Sequence, residues 1–431
     1  MKLALMLIIL MVLGCSQDTC EVSDKICVDK GLDEDCCPRS SNLSQSPGQP
    51  SIRKVNLFFD ASGSMAGYMP SSQPSTMLQM LIPDLISRLK SEYPDGISFY
   101  PIYNSSSSLS PMDISQAEQQ MREGRLSRQT GDTYLPAMLD TIYRNFLHPE
   151  AVNIFISDCI YSPAKGQKKQ AEQAAKEIRE DINRYAGSFY TTVFCLRSEF
   201  LRYKKNLQVN KSPYYLLVFG KPENNHEVEQ IIVRAVDALR QPFDLVHYGW
   251  KWAPPHYSIL QYTDQTGNCI INPCNSCGGA FANIVVEDER PKDEPIRFWI
   301  GLDLTKYPSY ATSPQYLKSN LVLTISQGSA RILDIKGKAP ETLAKDDQAI
   351  ARSVTHFIQI EISEIADCIA SLDIALKFSR PGWITQLNEN ELEENREKTF
   401  GLERMMNGFE QAYNSGEAYF FRGLRISFTK Q

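Results

Sequence analysis

The stretch VNLFFDASGSM, Val55 to Met65, runs an apolar segment straight into an acid, two serines and a glycine. A short continuous apolar run that ends in small polar residues reads as a buried strand followed by a tight turn. The sequence downstream repeats the pattern. The helical stretch TMLQMLIPDLISRLKS follows, with Met77, Met80, Leu81, Leu85 and Leu89 at three- and four-residue spacings. Then come a strand, ISFYPIY; a helix, YLPAMLDTIYRNFL; another strand, AVNIFISD; and a charged helix, KKQAEQAAKEIREDINRYA. Two strands, FYTTVFCL and YYLLVFG, and the helix HEVEQIIVRAVDALRQ complete the segment. Apolar strands separated by helices predict a doubly wound α/β domain over 52–245, with a mostly parallel, Rossmann-type sheet covered on both faces.

Beyond residue 245 the character changes. ANIVVED, PIRFWIGLDL, NLVLTIS, HFIQIEI and LDIALKF are strands with little helix between them, which predicts an antiparallel, sandwich-like β-rich domain over 246–431. LNENELEENREK reads as a solvated charge run. A late helix puts Leu402, Met405, Met406, Phe409 and Tyr413 on one face, most simply a core face. The aromatic segment VHYGWKWAPPHY reads first as packing at a domain junction and second as a carbohydrate or peptide platform.

The N-terminus, MKLALMLIILMVLGC, carries one basic residue and an apolar run from Leu3 to Leu13. That run is too short to span a bilayer and has the length of a signal-peptide core. Its end, Val12-Leu13-Gly14-Cys15, resembles the bacterial lipobox. The resemblance implies a lipoprotein signal peptide over 1–14, lipidation at Cys15 and stable attachment to a membrane. Ser16 at the following position implies the outer membrane of the bacterial envelope. Residues 15–51 then read as a cysteine-rich, disulfide-bonded segment around Cys20, Cys27, Cys36 and Cys37, with a Ser/Pro-rich tether behind it. A formal net charge of -6 without a long basic stripe argues against a nucleic-acid partner.

Ligands of doubly wound sheets sit outside the carboxyl ends of the strands. There the chain offers Asp60, Ser62 and Ser64 after the first strand, Thr130 and Thr133 in RQTGDTYLPAML, and Asp158 after VNIFIS. Asp-x-Ser-x-Ser, a later threonine and a later aspartate resemble the von Willebrand factor A domain and its metal-ion-dependent adhesion site. The resemblance covers roughly 52–245. It implies Mg²⁺ or Mn²⁺ bound by Asp60, Ser62, Ser64, Thr133 and Asp158, with an open position for the Asp or Glu of a protein partner. Cys159 departs from the family's usual glycine after the last aspartate.

The oxygen set suits that chemistry without the family name. Mg²⁺ takes octahedral oxygen ligands at about 2.0–2.1 Å. Three hydroxyls with two carboxylates leave such an ion electrophilic. A haloacid dehalogenase-type phosphatase would need a second acid where Ser62 stands, and a nucleophile elbow would need Gly-x-Ser-x-Gly. Helix or turn capping explains Asp60 and the serines but leaves Thr133 and Asp158 unaccounted for. The expected function is therefore non-catalytic, divalent-dependent protein binding. A metal-independent scaffold in an envelope complex is the competing reading.

Cys159 and Cys195, near the ends of strands expected to be neighbours, suggest either a disulfide or two buried thiols. Cys269, Cys274, Cys277 and Cys368 suit disulfides better than structural zinc in an exported chain. The five histidines lack metalloprotease spacing and read as surface or loop residues.

Overall fold

The structure, a computed structural model, describes residues 51–430 except 72–74, 104–108, 128–133, 161–169, 186–187, 203–206, 250–251, 273–282, 287–293, 366–368, 391–395 and 414–417. The signal peptide, Cys15 and the cysteine-rich segment with its tether lie outside the described residues. So do Thr130, Thr133, Cys274, Cys277 and Cys368. Among the described residues, no helix is long and apolar enough to cross a membrane. The fold is mixed α/β and divides into two units: residues 51–253 with 377–420, and residues 254–376 with 421–430.

The first unit is built on a six-stranded sheet of β1 (Lys54–Asp60), β2 (Ile97–Ile102), β3 (Ala151–Ser157), β4 (Tyr190–Arg202), β5 (Leu207–Gly220) and β6 (Asp244–Tyr248). The order is β2-β1-β3-β5-β4-β6. The β2-β1-β3 half is parallel, and the pairings of β3 with β5, β5 with β4 and β4 with β6 are antiparallel. The sheet is thus mixed, where the sequence pattern predicts a mostly parallel one. The reason lies between β4 and β5: a parallel pair needs a crossover of a dozen or more residues, and only four residues separate these strands.

Helices cover both sheet faces. On one side lie α1 (Met77–Glu92), α2 (Ile114–Arg122) and α5 (Pro222–Ala238), packed on Leu57, Phe59, Ile154, Ile156, Leu216 and Val218. Helix α1 starts at a capping box in which Thr76 Oγ1 accepts from Gln79 N–H at 3.2 Å and Gln79 Oε1 accepts from Thr76 N–H at 3.1 Å. Its buried face runs Leu78, Leu81, Ile82, Leu85, Ile86 and Leu89, whereas Met80 faces solvent. The opposite sheet face, with Phe58, Phe155, Tyr215, Leu217 and Phe219, carries α3 (Leu135–Phe146), α4 (Gln170–Asn183), α6 (Trp383–Leu387) and α7 (Leu402–Tyr413).

Helix α7 corrects the expected division at 245/246. Its Leu402, Met405, Met406 and Phe409 are core residues, but of the first unit. Gly408 lets the helix approach α4 closely, since a Cβ there would stand 3.0 Å from the Ala175 carbonyl oxygen. The chain therefore leaves this unit, builds the second, and returns to finish the first.

The second unit contains two sheets. A four-stranded sheet runs β12 (Gly328–Lys336), β13 (His356–Ile365), β10 (Ile296–Leu302) and β7 (Tyr257–Leu260). A five-stranded sheet runs β11 (Leu321–Ile325), β14 (Ile369–Lys377), β15 (Tyr419–Lys430), β9 (Asn283–Val286) and β8 (Cys269–Asn272). Phe298 of one sheet packs against Phe428 of the other, ring centroids 6.3 Å apart. The pairings of β12 with β13, β13 with β10, β10 with β7, β11 with β14 and β9 with β8 are antiparallel as expected, whereas β15 pairs with β9 in parallel.

Candidate functional site

Strands β1 and β3 are parallel neighbours with Phe59 opposite Ile156, so their carboxyl ends deliver Asp60 and Asp158 side by side. Asp60 is held on both oxygens. Its Oδ1 accepts from Ser62 N–H at 3.0 Å, and its Oδ2 accepts from Ser157 Oγ at 2.8 Å. The first bond closes a tight Asx turn that brings Ser62 and Ser64 back over the strand end. Their hydroxyl oxygens lie 2.9 Å apart. The Ser64 hydroxyl lies near enough to Asp158 to favour its ionised form, and Asp158 Oδ1 accepts from Ile160 N–H at 3.2 Å. Ser127 Oγ donates to the Ser62 carbonyl and ties a further loop to the same turn.

Asp60, Ser62 and Asp158 are almost fully buried, whereas Gly63 and Ser64 are half-buried. Asp60 is thus not the solvent-facing residue that its position after the strand suggests. Burial first, and then the charge of Asp158, pushes Asp60 up to about 7. Burial likewise raises Asp158, opposed first by the charge of Arg396. Two desolvated carboxylates whose charges act on each other make this corner an attractor for positive charge.

Arg396 answers part of that demand. Its Nη1 donates to Asp158 Oδ2 at 3.0 Å, its guanidinium lies 4.9 Å from the centre of the Phe200 ring, and its carbonyl accepts from Ser212 Oγ at 2.6 Å. Arg396 belongs to the run read from sequence as a solvated charge face, yet only 13% of its side chain is exposed. No local signal sets it apart from Lys398 or Arg404; the return of the chain to the first unit brings it here. Ser157 and Ser127 were missed too. Of these, Ser157 was the more legible, because it precedes Asp158 on the strand.

Phe200 is held in place by a close approach. A Cβ on Gly67 would stand 2.4 Å from the Phe200 ring, and Tyr68 meets the same ring edge-on at 5.1 Å. Tyr68 and Gly67 lie in the helical turn Met65–Tyr68 that continues directly from Ser64. The Tyr68 hydroxyl donates to the Pro213 carbonyl at 2.6 Å.

Cys159 takes φ of 51°. This is the left-handed region that glycine enters freely, so the residue that departs from the family pattern keeps a glycine-like backbone. Its thiol is buried and held far up by that burial, then by the charges of Asp158 and Asp60. Cys159 and Cys195 are both free thiols. The disulfide weighed for them is not formed, because β5 lies between β3 and β4. Two strand spacings amount to roughly 9–10 Å, beyond the usual reach of a disulfide. Elsewhere His247, read as a surface residue, is buried on β6 with Nε2 3.2 Å from Glu229 Oε2.

The oxygen set can be tested against an octahedral ion. Neighbouring ligands on such an ion, each at about 2.0–2.1 Å, stand about 2.9 Å apart. The Ser62 and Ser64 hydroxyls have that separation, and the two carboxylates supply charge beside them. This oxygen set is compatible with a small, hard divalent cation, although 2.9 Å is also the length of the hydrogen bond between the two hydroxyls and, among the described residues, no group of three or more His, Cys, Asp or Glu is placed to hold a metal ion. Comparison of the chain with family models, curated proteins and solved structures found no match in any of the three.

Proposed function

We propose that the first unit is a von Willebrand factor A-like domain that binds a protein partner through Mg²⁺ or Mn²⁺ held at Asp60, Ser62, Ser64 and Asp158. Thr133, outside the described residues, is the fifth proposed ligand. The ion would leave one coordination position for a partner's Asp or Glu. We read the second unit as a sandwich-like domain that accompanies it. In the same proposal the chain is exported and anchored by lipid at Cys15 in the bacterial envelope, outer membrane first.

The observation that carries the reading is the pair of hydroxyls, Ser62 and Ser64, set 2.9 Å apart between two buried carboxylates at adjacent parallel strand ends. Capping alone accounts for the Ser62 N–H bond to Asp60. It does not account for a second buried acid at the same point.

Calorimetric titration of the purified full chain with Mn²⁺ tests this, with Ser64→Ala as the comparison. Ser64 is half-buried and holds little of the fold, so its loss should remove saturable binding without unfolding the domain. Wild-type and variant chains that bind alike, or not at all, would defeat the proposal. The partner half is tested by an acidic peptide whose binding disappears on chelation.

A second reading has its own support. Arg396 already pairs with Asp158, which suits a scaffold that docks a neighbouring protein with no ion. Partner binding that survives chelation and Ser64→Ala would favour it.

A further inference from the structure

The contacts of Arg396 have a form that differs from those of a residue merely filling a core. The guanidinium has no acceptor of its own, so at Asp158 Oδ2 it can only donate. That oxygen belongs to one of the two carboxylates on which the proposed ion depends. A divalent ion beside Ser62 and Ser64 and a guanidinium on Asp158 are like charges drawing on the same acid, in a corner where burial weakens solvent screening.

The two sides of the contact are unequally anchored. Asp158 follows β3 directly and is fixed by Ile160 N–H, which donates to its Oδ1. Among the described residues, Arg396 is held by one charged bond, one bond to its carbonyl and the Phe200 ring. Its own backbone is strained, with φ of 54° in the left-handed region. Releasing the arginine relieves that strain, whereas moving Asp158 would break the strand end.

We propose that Arg396 is an internal competitor for the cation site, a latch that occupies Asp158 until a divalent ion displaces it. This rests on the metal-binding reading and names its regulation. Ion binding would then do two things together: complete the site at Ser62 and Ser64, and free the segment around Arg396 to move. The apparent affinity is lowered by the fraction of chains in the latched state.

The test is Mn²⁺ calorimetry on the full chain, wild type against Arg396→Gln, with hydrogen exchange measured on the wild type. Losing a charge-assisted bond to a buried acid should tighten Mn²⁺ binding by about tenfold or more. Saturating Mn²⁺ should speed exchange over residues 396–400 in the wild type, and fail to do so in Ser64→Ala. Equal affinity in wild type and Arg396→Gln would overturn the latch and leave the metal site standing. Weaker binding in the variant would overturn it too, by making the arginine a support of the site. No binding by either chain would remove both readings. If Arg396→Gln does not fold, the exchange experiment decides alone, and unchanged exchange at saturating Mn²⁺ overturns the proposal.

Discussion

Arg396 reaches back across 238 residues of sequence to donate to Asp158 at 3.0 Å. One partner is 13% exposed at its side chain and the other 1%. In the absence of divalent ions, truncating the arginine strands a carboxylate in a site that desolvates it. Removing one member of such a buried pair typically costs about 3 kcal/mol or more. Arg396→Ala should lose on that order in urea unfolding with chelator present. Arg396→Lys should recover part of it, because it keeps the charge but loses the guanidinium that lies over the Phe200 ring. A loss in Arg396→Ala no larger than that of an ordinary surface substitution would mean the pair contributes little.

Cys159 offers a backbone test. An L-residue in the left-handed region costs roughly 1–2 kcal/mol, and here a buried thiol offsets part of that. Cys159→Gly should therefore stay within about 1 kcal/mol of wild type, relief of strain balancing lost packing. Cys159→Val keeps apolar bulk but puts a β-branched side chain at φ of 51°, and should be clearly destabilised. Melting temperatures of the two variants settle it. A Val variant as stable as the Gly variant would show that the turn is not constrained as described.

The residues of the proposed site that are local in sequence were readable from it, and those that depend on topology were not. Asp60, Ser62 and Asp158 follow apolar runs long enough to be buried strands, so their place at strand ends could be read from pattern alone. Arg396 could not, because its role exists only once α7 returns to the first unit. The same cause moved the expected domain boundary: the apolar face of Leu402, Met405, Met406 and Phe409 announces a core but not which one. The direction of β5 was not recoverable from the apolar runs, because FYTTVFCL ends at Leu196 and YYLLVFG begins at Tyr214, far enough apart for a crossover. In the structure the two strands extend toward each other until only four residues separate them, too few for a parallel crossover. Phase was the weaker part of the helix reading, since α1 buries Leu78 and Ile82 and turns Met80 outward.

Gly67 links the serine turn to the arginine. Alanine there would place a methyl carbon 2.4 Å from the Phe200 ring, far inside contact distance. The ring must move, and it is both the neighbour of Tyr68 and the surface on which Arg396 lies. Gly67→Ala should cost about 1–3 kcal/mol as an overpacking change. Its effect should shrink when Arg396 is already replaced, because the two positions share Phe200. A double-mutant cycle measures that coupling, and strict additivity would show that the ring adjusts without disturbing the arginine.

In the second unit, Glu361 stands on β13 directly between Arg297 of β10 and Arg331 of β12. The arginine Nε atoms lie 2.8 and 2.6 Å from its two oxygens. The Arg331 hydrogen bond first, aided by that of Arg297, holds the carboxyl below its ordinary range, although the two arginines also cover it from water. Because the folded value is the lower one, the ladder stabilises the fold above the unfolded value near 4.5. That contribution fades as pH falls through the folded value and the carboxylate takes up a proton. Glu361→Gln should therefore be less stable than wild type at pH 7, by roughly 1 kcal/mol since both arginines reach solvent. The gap should close in acid and narrow at high salt, where the pairs are screened. Unfolding curves of the two chains across pH 3 to 7 test this, and a gap that widens toward acid would reverse the assignment. A gap independent of both pH and salt would leave packing, not charge, as what the glutamate contributes between the strands.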